Sequence, residues 1–204
     1  MTNSGFVGLA EHGIYTHRDF LPRRVGTIEA DGAILVVSAA DGIDSMPGVE
    51  FYSGILIPGM VNAHCHLELS YLKGCIEPGG GFAAFARGMQ QHRERFSVEQ
   101  RVEAAEYADA RLWADGVAAV ADISNDASTF PVKSRSKIYY HPCAEVFGLR
   151  GNSTFGGQVL VRHAAEDGLC ATITPHSTYS LNEALFREAV GPDSNTPLSI
   201  HFME

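Results

Sequence analysis

The pattern of apolar and polar positions changes character once along the chain, at Pro58-Gly59. Before that point apolar residues come in short β-rich runs, at 25–30, 33–38 and 50–57, with Asp31-Gly32 and Asp41-Gly42 as turn signals beside them. No amphipathic stripe of helical length interrupts them. Residues 1–57 are therefore expected to form a small antiparallel β unit, too small to stand alone.

After Pro58 the rhythm alternates between strand-like runs and helical periodicity. Residues 60–66, 117–123, 138–146, 169–174 and 198–202 read as strands. Residues 98–114 carry Val102, Ala105, Ala108 and Leu112 at helical spacing, with Gly116 as a stop. Further helices are expected over 157–166, closed by Gly168, and over 182–190. The order is read as βαβαβαβαβ, five strands and four helices, the helix between 117–123 and 138–146 being supplied by the alternation alone. Such alternation means a parallel sheet, either open or closed into a barrel. A complete (β/α)8 barrel takes about 250 residues and eight strands, more than residues 58–204 supply. Glu204 stands directly behind an expected strand with no helix after it, which predicts a fragment or an early-ending product; a complete five-stranded open α/β domain is the alternative. The Gly79-Gly80-Gly81 run reads as a loop. It is not a phosphate-binding loop, because the Lys-Ser/Thr of a P-loop is missing.

Composition narrows the function classes. The chain has 204 residues, 45% hydrophobic and 19% charged, an ordinary globular balance. A net charge of −9 without a basic run makes it a poor candidate for nucleic acid or anionic membranes. A small-molecule substrate is expected instead, with a homo-oligomer as an open possibility. Cys65, Cys75, Cys143 and Cys170 are scattered and form no C-x-x-C, so neither a disulfide framework nor a cysteine zinc site is expected. The N-terminus lacks the pattern of a signal peptide, and no apolar run approaches the roughly 20 residues of a membrane span. The expected location is the cytoplasm.

The strongest chemical signal is Pro58-Gly59-Met60-Val61-Asn62-Ala63-His64-Cys65-His66. Strand side chains alternate faces, so His64 and His66 share one side and Cys65 points away. Two imidazoles at a strand end can pinch one divalent ion, and zinc or iron accepts imidazole nitrogen readily. A second apolar run delivers His201, with Glu204 in the loop behind it, where a carboxylate could take a proton from an activated water. A third, Thr174-Pro175-His176-Ser177-Thr178-Tyr179-Ser180, places His176 after a strand as a ligand, a substrate contact or a turn residue, with Ser177 or Ser180 as a cap for the next helix. Glu68 would share the histidine face if its strand continues. Asp122 and Glu145 are candidates for pocket lining, with a structural role at least as well supported. Arg150 could bind an anionic or polar substrate group, although a solvated loop arginine is the simpler reading. Trp113, Phe82 and Phe85 are expected in the core or a lid.

The Pro-Gly-x-Val-Asn-x-His-x-His stretch resembles the first barrel strand of the amidohydrolase superfamily, and the β-rich leader resembles that superfamily's small β-sandwich. Thr-Pro-His-Ser-x-Tyr-Ser followed by Ile-His-x-x-Glu resembles the fourth and fifth strands of its purine and nucleoside deaminase branch. His-Cys-His-Leu-Glu-Leu-Ser-Tyr-Leu-Lys-Gly is similar to aminodeoxyfutalosine deaminase-like and chlorohydrolase-like members. The resemblance implies an α/β fold, a TIM-like barrel incomplete here, with residues 1–57 part of the β-sandwich and 58–204 the first five barrel strands. It implies that His64, His66 and His201 bind one divalent metal, zinc or else iron or manganese. Glu204 would shuttle protons as the catalytic residue, and His176 would contact the substrate and assist in polarising it; Glu68 and Arg150 are further expected substrate contacts on the residue reading above, not on the resemblance. It further implies a histidine after a sixth strand and a metal-binding aspartate after an eighth, and neither position lies in these residues. The implied activity is hydrolysis of non-peptide carbon–nitrogen bonds, foremost deamination of an aminopurine or nucleoside-like molecule. Alternatives are a cyclic amide hydrolase or chlorohydrolase on the same scaffold, or a truncated inactive metal-binding remnant. The zinc motif of the cytidine deaminases, His-x-Glu with Pro-Cys-x-x-Cys, is not complete in the sequence, which has no Pro-Cys-x-x-Cys.

Overall fold

A computed structural model describes residues 6–10, 12–16, 18–22, 24–28, 34–39, 48–150, 153–191 and 196–202. Glu204 and the turn dipeptides Asp31-Gly32 and Asp41-Gly42 lie outside the described residues. The chain divides into two compact units, Met1–Pro58 and Gly59–Glu204.

The first unit holds β1 (Phe6–Ala10), β2 (Gly13–Tyr15), β3 (Phe20–Leu21), β4 (Arg24–Ile28), β5 (Ile34–Ala39), β6 (Val49–Tyr52) and β7 (Ile55–Leu56). They form two sheets, ordered β5-β4-β1-β6 and β3-β2-β7. The β1–β4, β4–β5 and β2–β3 pairs are antiparallel, but β6 lies parallel to β1 and β7 parallel to β2. The unit is therefore mixed rather than antiparallel. Tight turns can join only antiparallel neighbours, and β6 and β7 reach β1 and β2 from far along the chain.

The second unit is built on four parallel strands in the order β11-β10-β9-β8: β8 (Met60–Cys65), β9 (Val117–Ser124), β10 (Tyr139–Val146) and β11 (Thr172–Pro175). The helices are α1 (Gly81–His92), α2 (Val98–Ala114), α3 (Phe130–Arg135), α4 (Phe155–Glu166) and α5 (Glu183–Val190), and a 3-10 helix spans Leu67–Leu72. Ser97 starts α2 with a reciprocal cap: Gln100 N–H donates to Ser97 Oγ, and Ser97 N–H donates to Gln100 Oε1. The apolar stripe of α2 then covers the sheet, with Ala105, Ala108 and Leu112 packed in one cluster with Leu67, Val120, Ile138 and Tyr140. Further along β10, Val146 packs in a second cluster with Leu181, Leu185, Ala189 and Ile173.

Three elements differ from expectation. Residues 198–202 form no strand. His201 makes one isolated parallel bridge to Ser177, and the segment is otherwise tied by the hydroxyl of Thr174, which accepts Ser199 N–H at 2.8 Å and donates to Ser199 O at 2.5 Å. A side-chain hydroxyl occupies the place of a ladder bond. The strand expected at 169–174 starts only at Thr172, because Leu169 N–H is captured by Ala164 O at 2.8 Å as α4 ends around the left-handed Gly168. Finally, α1 begins within the glycine run, at Gly81, with no side-chain cap to announce it.

Candidate metal centre

The C-terminal ends of β8, β10 and β11 deliver the chemistry to one end of the sheet, where ligand sites of parallel α/β folds form. His64 and His66 leave β8 on one side. Their Nε2 atoms lie 3.2 and 3.1 Å from Nε2 of His201. The three side chains offer ligand atoms that all fall within 4.8 Å of one another. His64 is exposed, while His66 and His201 are half-buried.

The outer nitrogens fix how these rings point. His201 Nδ1 lies 3.1 Å from His176 O, and a carbonyl can only accept, so Nδ1 carries the hydrogen and Nε2 presents its lone pair. Glu145 Oε1 stands 3.4 Å from the same Nδ1. His64 Nδ1 pairs with Ser199 Oγ at 3.1 Å. At these distances a neighbouring imidazole nitrogen either donates a hydrogen to the His201 Nε2 lone pair or shares a cation with it. Two nitrogens on one tetrahedral zinc, at about 2.0–2.1 Å each, stand about 3.3 Å apart. The observed separations therefore fit a single divalent ion held by His64, His66 and His201, and the carbonyl and carboxylate behind His201 are the partners that metal-bound imidazoles use. Cys65 takes no part. It faces away, and burial followed by the nearby charge of Asp122 pushes its thiol up to about 12.

A cavity of about 980 Å³ opens beside this cluster, lined among others by Glu68, Asn125, Glu145, Phe147, His176 and His201. This is the size range of small-molecule sites. His176 is oriented by Ser180, whose Oγ lies 2.7 Å from Nδ1, and its ring stands 4.8 Å from that of His201 and 6.0 Å from that of Phe147. Ser180 thus holds His176 rather than capping α5; that cap is Asn182, whose side chain accepts Leu185 N–H. A second cavity of about 810 Å³ lies between the 3-10 helix and α2, and includes Cys65, Tyr71 and Tyr107. It lacks a comparable convergence of imidazoles.

Glu68 does not extend the histidine face, because β8 stops at Cys65 and the chain turns into the 3-10 helix. Its carboxylate accepts Asn125 N–H at 2.9 Å, Asn125 Nδ2 at 3.1 Å and Asp126 N–H at 3.3 Å, so it supports the loop after β9. Burial pushes Glu68 up to about 7 in spite of these donors. Asp122 is fully buried away from the cavity, against Lys133. Arg150 is exposed and is not among the residues lining the cavity. Phe82, Phe85 and Trp113 are exposed rather than core. Asn125 and Ser199 escaped the sequence reading. Asn125 Nδ2 bridges Glu68 and Glu145, at 3.1 and 3.0 Å, and only its place just past a strand end could have signalled it.

No family model and no curated protein matches the sequence. Solved structures do match by fold. Aminofutalosine deaminase from Helicobacter pylori, in complex with methylthio-coformycin, superposes with a TM-score of 0.80 at 18% identity, over 97% of this chain and 50% of that one. A zinc-bound adenosine deaminase from Xanthomonas campestris gives 0.67 at 15% identity, over 96% and 48%. Atrazine chlorohydrolase from Arthrobacter aurescens, complexed with zinc, gives 0.68 at 16% identity, over 96% and 52%. The chain spans about half the length of the structures it matches. It carries the fold of these deaminases and hydrolases: an α/β fold whose (β/α) barrel is incomplete, with four parallel strands among the described residues.

Proposed function

We propose that this chain supplies the metal-binding part of an amidohydrolase-type enzyme that hydrolyses non-peptide carbon–nitrogen bonds, and that its substrate is an aminopurine or nucleoside-like molecule from which ammonia is released. The observation that carries this reading is the meeting of the His64, His66 and His201 nitrogens beside a small-molecule cavity. A divalent ion held there, zinc foremost, supplies Lewis acidity and activates water near neutral pH. The chain's own residues do the rest. His176 and Phe147 wall the cavity, and in this reading His176 contacts the substrate and helps to polarise it. Glu145 and the carbonyl of His176 hold His201. Glu204, assigned on the sequence resemblance, moves a proton to the departing amine. The fold similarity to a zinc-complexed atrazine chlorohydrolase favours a second reading on the same scaffold, displacement of a ring chloride.

The test is elemental analysis of the purified chain and of a His64→Ala/His66→Ala variant, both checked for folding by circular dichroism. Near-stoichiometric zinc, iron or manganese in the wild type and its loss in the variant is the expected result. A folded wild type that takes up no metal after supplementation would sink the proposal. Ammonia release from a panel of aminopurines, set against chloride release from chlorotriazines, separates the two readings.

A further inference from the structure

We infer that Asp122, buried on β9 and not among the residues lining the cavity, is a positioning residue for the metal-binding histidines; this rests on the metal reading above. Regular pairing of β8 with β9 fails where it matters. The ladder runs Val61 with Ala119 and Asn62 with Val120, then breaks and resumes only at Cys65 with Asp122. Ala63 and His64 fall in the gap, and His64 N–H turns to its own strand, donating to Asn62 Oδ1 at 3.2 Å. After Cys65 the strand ends and the chain enters the 3-10 helix. His66 therefore sits where neither ladder nor helix fixes the backbone on both sides.

Asp122 fills that role. Its Oδ1 accepts the N–H of Leu67, the residue directly after His66, at 2.7 Å. The carboxylate is itself immobilised. Lys133 Nζ lies 2.5 Å from its Oδ2, with no exposed surface on either side chain, and Lys133 also donates to Ser124 Oγ at 2.9 Å. A buried ion pair is seldom a source of net stability compared with apolar residues of the same size, and one use of such a pair is to fix a geometry. Here α3, which carries Lys133, and β9, which carries Asp122, are pinned to the amide that directly follows His66, next to the His66 carbonyl that accepts Leu69 N–H at 3.0 Å. Partners behind a metal ligand typically change metal affinity by about 10–100-fold when removed.

Two double variants of the full chain isolate this role, since each removes both buried charges. Asp122→Asn/Lys133→Met keeps an oxygen to accept Leu67 N–H, and Asp122→Leu/Lys133→Met does not. Zinc affinity is read by competition with a chromophoric chelator, and ligand geometry by the visible spectrum after loading with cobalt(II). The asparagine variant should stay close to wild type. The leucine variant should lose affinity by about 10–100-fold and show an altered cobalt spectrum. Equal affinity and equal spectra in the two would overturn the inference while leaving the metal reading intact. No binding by wild type would overturn both. Should either variant fail to fold, amide hydrogen exchange in the wild type decides. Leu67 N–H should be protected like the amides of β9, and exchange as fast as an exposed loop amide would overturn the inference.

Discussion

His201 Nδ1 lies 3.4 Å from Glu145 Oε1, while the other oxygen of that carboxylate accepts Asn125 Nδ2 at 3.0 Å. Glu145 thus touches an imidazole whose far nitrogen faces two more, and it is held there by an amide that also grips Glu68. A carboxylate in this place favours a cation-binding imidazole over a bare one. Glu145→Gln keeps the shape and removes the charge, so zinc affinity should drop by about tenfold with little change in circular dichroism. Chelator competition measures it, and an unchanged affinity would reduce Glu145 to a wall of the cavity.

Glu68 makes metal-free stability depend on pH. Its ordinary value is 4.5, and burial first, with the nearby Asp126 charge adding to it, raises it to about 7. The native chain therefore keeps a proton that the unfolded chain has released between those values. The associated stabilisation is complete below about 4.5 and is lost as pH rises through about 7, at most about 3 kcal/mol. Urea unfolding with chelator present should show the wild type losing ground to Glu68→Gln between pH 5 and pH 8. A gap between the two proteins that stays constant across that range would contradict this assignment.

At the head of α2, Ser97→Ala removes the oxygen that accepts Gln100 N–H and loosens the helix that covers Val120 and Tyr140. The expected cost is about 1 kcal/mol. It should appear as a lower urea midpoint, with zinc affinity unchanged because the Ser97 hydroxyl is engaged by Gln100 N–H and Glu99 and not by the histidines.

What could be seen in advance follows from which interactions are local. The α2 boundaries were legible because Val102, Ala105, Ala108 and Leu112 repeat at the helical period and Gly116 can turn left-handed at its end, as its φ of 86° shows. The shared face of His64 and His66 follows from strand alternation alone. His201 is 135 residues beyond His66, and its approach to within 3.1 Å depends on how four strands are stacked, which no local pattern encodes. The same holds for Asn125, whose value lies in two carboxylates, one from the 3-10 helix and one from β10. Residues 198–202 misled because their apolar alternation suits a strand, whereas Thr172 and Thr174 hydroxyls, bonded to Pro197 O and Ser199, hold the segment instead. The start of α1 was hidden by Gly79-Gly80-Gly81, a run with poor helix propensity and no capping side chain.

Adjacent glycines in α4 should respond in opposite directions to the same substitution. Both sit in helical backbone, where alanine is favoured over glycine by up to about 1 kcal/mol. A Cβ at Gly156 would meet nothing within 4 Å, so that gain should be realised in part and Gly156→Ala should be neutral or stabilising. A Cβ at Gly157 would stand 2.8 Å from Val146 Cγ1 and 3.3 Å from Ile173. Val146 cannot swing clear, since it is packed among Leu181, Leu185 and Ala189. Overpacking of this kind costs about 1–3 kcal/mol, which exceeds the gain in helix propensity. Gly157→Ala should therefore lower the melting temperature, while Gly156→Ala leaves it level or raises it. Shifts of the same sign and size in both would mean that α4 does not press on β10 and β11 as closely as these distances require.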